Sequence, residues 1–156
     1  MAVSFEVVTR SSLPVAELFD RARSIDLHTE SQAASEERAV GGVVSGTIGF
    51  GEQVTWRARH FGVPLRLTSR ITAFDAPHSF TDEQIRGPFR SFHHEHRFEP
   101  DGSGSVMIDR ISFRAPLGLL GRIVERLVLA RYLRRLIEER GAFLAGPGAS
   151  VDDRRS

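Results

Sequence analysis

The sequence predicts an α+β domain in which a curved antiparallel sheet of six to seven strands meets one long C-terminal helix. The first sign is a series of period-two segments between about residues 52 and 113, joined by turns too short for parallel crossovers. The second is a change of period near Leu119. Beyond it Leu120, Ile123, Val124, Leu127, Leu133, Leu136 and Ile137 recur at spacings of three and four, which is one stripe of a helix. The third is size. The 156 residues show no internal repeat and no second domain, and they suffice for a core and a pocket. The domain is expected over residues 1–145, with a frayed tail over 146–156 after Gly146-Pro147-Gly148.

Taken in order, Val3, Phe5 and Val7 share a strand face, so a first strand runs from about 2 to 10. Ser11 and Ser12 offer a helix cap, and Pro14 suits a first helical turn because its missing N–H costs little there. Val15, Leu18 and Phe19 form a short apolar stripe, and a second helical turn follows near Ile25–Glu30. A short strand is expected near Ala39–Ser45, inside a glycine-punctuated segment that runs from Gly41 to Gly51. Glu52–Phe61, Leu65–Phe74, Phe80–Arg86, Phe92–Phe98 and Val106–Phe113 are the remaining strands. Gly62-Val63-Pro64, Asp75-Ala76-Pro77, Gly87-Pro88 and Pro100–Gly104 turn the chain between them. The final helix reaches about Phe143, with Gly141 as a candidate earlier end.

Composition removes several function classes. All 21 Lys+Arg residues are Arg, and Lys, Cys and Asn are absent. Schiff-base chemistry, phosphate-loop lysines, disulfides, thiol nucleophiles, thiolate zinc sites and iron–sulfur clusters are therefore excluded. A net charge of +1 gives no global field for a polyanion, and exposed aromatic stacking platforms are lacking, so no nucleic-acid partner is expected. The first ten residues alternate polar and apolar, unlike a signal peptide, and no apolar run approaches a membrane span. A cytoplasmic location without stable membrane insertion is expected.

The richest segment is Gly87–Phe98. Alternation places Phe92, His94, His96 and Phe98 on one strand face and His93, Glu95 and Arg97 on the other. The aromatics mark the first face as buried, and a buried polar ring left without a partner costs roughly 1–3 kcal/mol. These histidines are therefore paired within the core or line a cavity. Neighbouring strands add Trp56, Ala58 and His60, then Leu65, Leu67 and Ile71, then Phe80, Asp82, Gln84 and Arg86. On the last strand the Met107, Asp109, Ile111, Phe113 face is taken as inward, against the alternative face of Arg110.

Residues GEQVTWRARHFG, TSRITAFDAPHSFTDEQIRGPFRSFHHEHRF and D-R-I-S-F-x-x-P-L-G-L-L-G give a further expectation. They resemble the START-like (SRPBCC) superfamily of polyketide cyclase/dehydrase and lipid-transport type, most closely its small bacterial single-domain members. The likeness runs roughly from Val3 to Phe143. It implies the helix-grip fold, in the order β-α-α, a strand meander, then α, with a deep cavity between sheet and last helix. It implies no particular catalytic residue, because this scaffold hosts carriers, receptors, cyclases and regulators.

The leading expectation is a binder of a hydrophobic or amphipathic small molecule, such as a lipid, polyketide or quinone-like ring. Trp56, Ala58, Leu67, Ile71, Phe80, Gln84, Arg86, Phe92, His94, His96, Phe98, Asp109, Ile111 and Leu127 would line its site. A satisfied core network, with Asp82 or Asp109 pairing His94 or His96, is the other reading. As an enzyme the chain would be a cyclase or dehydratase with His94 or His96 as base, Asp109 orienting it, and Gln84 or Arg86 holding a carbonyl. His94-x-His96 also has metal-pair spacing, but Asp109 or His60 would have to complete the ligand set, and no metal or cofactor is expected. Arg57, Arg59, Arg66 and Arg70 read as a solvated outer band, and Arg134–Glu138 and Arg135–Glu139 as helical pairs. A third possibility is a ligand-sensing regulator acting through protein contact, with Gly41–Gly51 as a mobile flap.

Overall fold

The computed structural model describes residues 2–116, 118 and 128–154. Period-two sequence and tight turns produce eight strands rather than six to seven. They are β1 (Val3–Ser11), β2 (Arg38–Gly42), β3 (Gln53–His60), β4 (Val63–Asp75), β5 (Ser79–Arg86), β6 (Ser91–Asp101), β7 (Gly104–Arg114) and β8 (Ser150–Arg154). They form one antiparallel sheet in the order β2-β3-β4-β5-β6-β7-β1-β8. The middle is the expected meander, and β1 returns to pair along β7, with Val3 opposite Phe113 and Ser11 opposite Ser105. The long strand β4 shifts register against β5 between Thr68 and Ser69 and again between Ile71 and Ala73. Such bulges bend a strand and increase its twist, which curves the sheet.

The residues expected to fray after 146 instead carry β8, paired with β1 from Glu6↔Arg154 to Arg10↔Ser150. Val151 packs beside the Phe5–Val7 cluster, so apolar contact and main-chain pairing hold this strand together.

Helices α1 (Val15–Ala22) and α2 (Ile25–Ser31) follow β1, then a 3-10 turn at Ala33–Ser35. Pro14 sits just ahead of α1 in extended backbone. Neither Ser11 nor Ser12 caps that helix. Ser11 Oγ accepts from the Leu13 N–H and donates to the Ala145 carbonyl at 2.8 Å. The serine cap lies one helix later, where Ser24 accepts from the Leu27 N–H at 3.2 Å.

Helix α3 covers Ala130–Ala145. The proposed stripe residues Leu120, Ile123, Val124 and Leu127 lie outside the described residues. Gly141 does not end the helix. It lies over β1, where an added Cβ would stand 2.4 Å from the buried Thr9 hydroxyl. The same end is fixed by fully buried Leu144, by Arg21 bonding the Leu144 carbonyl at 2.7 Å, and by Arg140 bonding the Ala22 carbonyl at 2.7 Å. Arg135 pairs with Glu139 at 2.8 Å, while Arg134 donates to the Glu6 carbonyl and lies over the Phe5 ring.

Two cores flank the concave face. In one, Phe19 of α1 stands edge-on to Phe74, Phe80 and Phe98, with centroids 5.3–5.6 Å away. In the other, Phe5, Val7, Ile111 and Phe113 meet Phe89, Leu133 and Ile137. The Gly41–Gly51 segment, expected as a mobile flap, is joined to its surroundings by main-chain bonds. Its backbone bonds to β3 at Val43, to α2 at Gly46, to Arg23 at Ile48 and to β4 at Gly51. No helix among the described residues is long and apolar enough to cross a membrane.

Candidate functional site

Between the two cores the sheet, α2 and α3 line a partly open cavity of about 320 Å³. Alternation on β3 and β4 turns Val54, Trp56, Ala58 and His60, and Leu65, Leu67, Ser69 and Ile71, toward it. Phe80 and Asp82 of β5 and Phe92, His94 and His96 of β6 continue the wall. Helix α3 closes it with Leu129, Tyr132, Leu133, Leu136, Ile137 and Arg140, one face at spacings of three and four. The described part of the stripe therefore faces a cavity where the resemblance implied one, between sheet and last helix.

Of the residues proposed from sequence as ligand contacts, Trp56, Ala58, Leu67, Ile71, Phe80, Phe92, His94 and His96 border the cavity. The others do not. Phe98 is buried beneath Phe19, because α1 covers that end of the sheet. Ile111 is fully buried in the second core, and Asp109, only 1% exposed, lies behind the histidines. Gln84 bonds both the N–H and the carbonyl of Phe89, so it fastens the Gly87-Pro88 turn rather than reaching for a ligand carbonyl. Arg86, at the end of β5, is exposed. Leu127 lies outside the described residues.

The two readings of the histidine face coexist: the histidines are paired, and they still border the cavity. Register places Asp82 opposite His94 and His96 opposite Asp109 on three adjacent strands. His94 Nε2 bonds Asp109 Oδ1 at 2.8 Å, and His96 Nε2 bonds Asp82 Oδ1 at 2.9 Å. His96 Nδ1 lies 2.9 Å from Asp109 Oδ1 but out of line for a hydrogen bond. The imidazoles face each other with centroids 3.8 Å apart, and Phe80 stacks on His96 at 4.1 Å.

These contacts set the protonation. Burial pushes the Asp109 carboxyl up, but both imidazoles outweigh it and hold Asp109 well below the usual carboxylate range. Asp82 is lowered in the same way, chiefly by His96 against burial. Burial disfavours charge on His96, yet Asp109 and Asp82 on either side raise it above an ordinary imidazole. Burial and the neighbouring His96 lower His94 despite Asp109. Of the two imidazoles, His96 is thus the one whose protonated form the two carboxylates favour.

A second polar group comes from elements that share no sequence spacing. His28 stacks on Trp56 at 4.1 Å and bonds Glu37, and His60 Nδ1 meets the Tyr132 hydroxyl at 2.6 Å. Burial raises the Glu37 carboxyl but His28 brings it below its ordinary value, and burial depresses His60 against the pull of Glu37. Arg140, buried among these groups, has no partner for its Nε among the described residues. Tyr132 and Arg140 stand at stripe positions relative to Leu133, Leu136 and Ile137, a signal that could have marked them. Nothing in the sequence pairs His28 with Glu37.

Asp82, His94 and His96 also offer three ligand atoms within 4.8 Å of one another, the one such group among the described residues. Neither Asp109 nor His60, proposed from sequence as the third member, belongs to it.

The architecture matches solved structures of low sequence identity. Protein TTHA0849 of Thermus thermophilus superposes with a TM-score of 0.72 at 14% identity, over 91% of this chain and 97% of that one. Protein Ms6760 of Mycobacterium smegmatis gives 0.64 at 16%, over 90% of each chain. Major latex-like protein 151 of Panax ginseng gives 0.63 at 15%, over 94% and 99%. Among curated proteins no sequence matches. The family model described as polyketide cyclase / dehydrase and lipid transport matches residues 2–144. With nearly the whole chain matched, the protein belongs to the polyketide cyclase/dehydrase and lipid transport family.

Proposed function

We propose that the protein binds one compact hydrophobic or amphipathic molecule in the cavity between its sheet and α3. The observation that carries this reading is the wall itself: apolar faces of β3, β4 and α3, with polar atoms gathered into two small groups. Apolar area supplies the affinity of such a site and a few fixed polar groups orient the ligand. A volume of about 320 Å³ lies at the small end of ligand pockets, which favours a single ring system over a two-chain lipid. Native mass spectrometry of the purified chain, with identification of any co-purified molecule, tests the reading. A bound apolar species at one per chain supports it. A chain that carries nothing and takes up no member of a panel of polyketide, quinone and fatty-acid probes overturns it.

A second reading, an enzyme, draws on one contact. Asp109 holds His94 Nε2 from behind the cavity wall and leaves Nδ1 as a potential base toward the interior. Burial keeps that imidazole neutral. A cyclase or dehydratase using it would lose turnover of a reactive poly-β-ketone in His94→Gln while still binding the substrate. Unaltered turnover in His94→Gln would eliminate the mechanism.

A further inference from the structure

The placement of Asp109 has a consequence for the opposite edges of both imidazoles. Its Oδ1 lies 2.8 Å from His94 Nε2 and 2.9 Å from His96 Nδ1. The remaining nitrogens, His94 Nδ1 and His96 Nε2, both turn toward one atom, Asp82 Oδ1, at 3.8 and 2.9 Å. With His94 Nε2 bonded to Asp109, the His94 Nδ1 edge and His96 Nε2 converge on the Asp82 carboxylate at the cavity wall. That position is filled either by a proton on His96 Nε2, donated to Asp82, or by a metal ion.

The geometry suits a metal. Bonds of about 2.0–2.1 Å at tetrahedral angles put ligand atoms about 3.3 Å apart, between the two distances that Asp82 makes here. All three ligands stand on hydrogen-bonded neighbouring strands, so the sheet fixes their spacing before any ion arrives. Asp109 occupies the position of an outer carboxylate, which orients ligating imidazoles and raises their basicity. Asp82, 21% exposed, borders the cavity, so further coordination positions would open into it. A divalent ion would also offset the charges of Asp82 and Asp109 in an apolar wall, where uncompensated charge is costly. Two nitrogens and one oxygen select zinc, ferrous iron or cobalt over calcium and magnesium, which take oxygen ligands.

We propose that Asp82, His94 and His96 form a binding site for one divalent first-row transition-metal ion, with Asp109 as the positioning carboxylate behind it. The site does not depend on the organic ligand proposed above. It competes with the general-base reading, because metal and proton would use the same lone pair of His94.

The test is titration of the chelator-treated full chain with Co²⁺, followed by Zn²⁺ competition and thermal melting. One Co²⁺ per chain with visible d–d absorption is expected, displaced by stoichiometric Zn²⁺, and Tm rises with added Zn²⁺. Asp109→Asn should weaken affinity roughly 10–100-fold while keeping the stoichiometry. Asp82→Asn should abolish stoichiometric binding, with folding checked by circular dichroism. If that variant does not fold, His94→Gln makes the same comparison. His93→Gln should bind like the parent, since His93 lies exposed on the opposite sheet face. A parent that takes no stoichiometric Co²⁺ overturns the site and assigns the position to a proton. Binding unchanged in Asp82→Asn, or lost in His93→Gln, places the ion elsewhere and overturns it equally.

Discussion

Gly141 and Thr9 bring α3 and β1 into direct contact, leaving no room for a methyl group between the helix backbone and the threonine hydroxyl. Thr9 is fully buried, so neither side can move into solvent. Gly141→Ala gains helix propensity but overpacks this contact, and the net effect should be a loss of about 1–3 kcal/mol. Urea denaturation measures it. Adding Thr9→Ala should recover part of the loss, and strict additivity of the two changes would show that the contact does not limit the approach.

Filled core and cavity wall should respond differently to truncation. Leu144 is fully buried among Phe19 and its neighbours, whereas Leu133 is half-buried and borders the cavity. Leu144→Ala should cost about 2–5 kcal/mol. Leu133→Ala only enlarges an existing void and should cost less than half as much. Equal losses would mean that the space beside Leu133 is closed in solution.

Stability of metal-free protein should peak near pH 6.5. The two imidazoles move in opposite directions on folding from an unfolded value of about 6.5. His96 is raised on folding, so its contribution is complete below about pH 6.5 and is lost as pH rises through its folded value. His94 and His60 are depressed, so acid favours the unfolded chain from about pH 6.5 downward. Asp82, Asp109 and Glu37, also depressed, extend that loss below about pH 4. Chemical denaturation in chelator between pH 4 and pH 9 would show the maximum, and a flat profile across pH 5–8 contradicts the opposed shifts of His94 and His96.

Filling the cavity should separate binding from folding. Ala58 is buried on β3 and borders the void, so Ala58→Phe places a ring in space a ligand would use. At least tenfold weaker binding of any identified ligand is expected, with Tm unchanged or higher. Retained affinity would put the ligand elsewhere.

The strand faces were legible because two-residue periodicity survives wherever a strand is half-buried: Trp56, Ala58, Leu67 and Ile71 follow directly from alternation. The same rule fails at strand ends. Gln84 continues the alternation of β5, yet its amide closes on Phe89 because the following turn offers both a donor and an acceptor. Alternation also cannot report depth, which is why Phe98 and Ile111 share a face with the cavity histidines but lie under neighbouring side chains. Gly141 read as a possible stop because a glycine in a helix looks alike whether it ends the helix or admits a neighbouring strand. The His28–Glu37 contact depends on tertiary approach alone.

Mechanically, the described length of α3 is pinned at more than one point. Its C-terminal turns are clamped by Thr9, Ala22 and Arg21. The face from Leu129 to Ile137 leans over empty volume. The same stretch is tied down by Arg134 on the Glu6 carbonyl, Gln32 on the Leu136 carbonyl and Leu133 on the Phe5–Val7 cluster, so a guest meets two braced walls and is selected by size rather than accommodated.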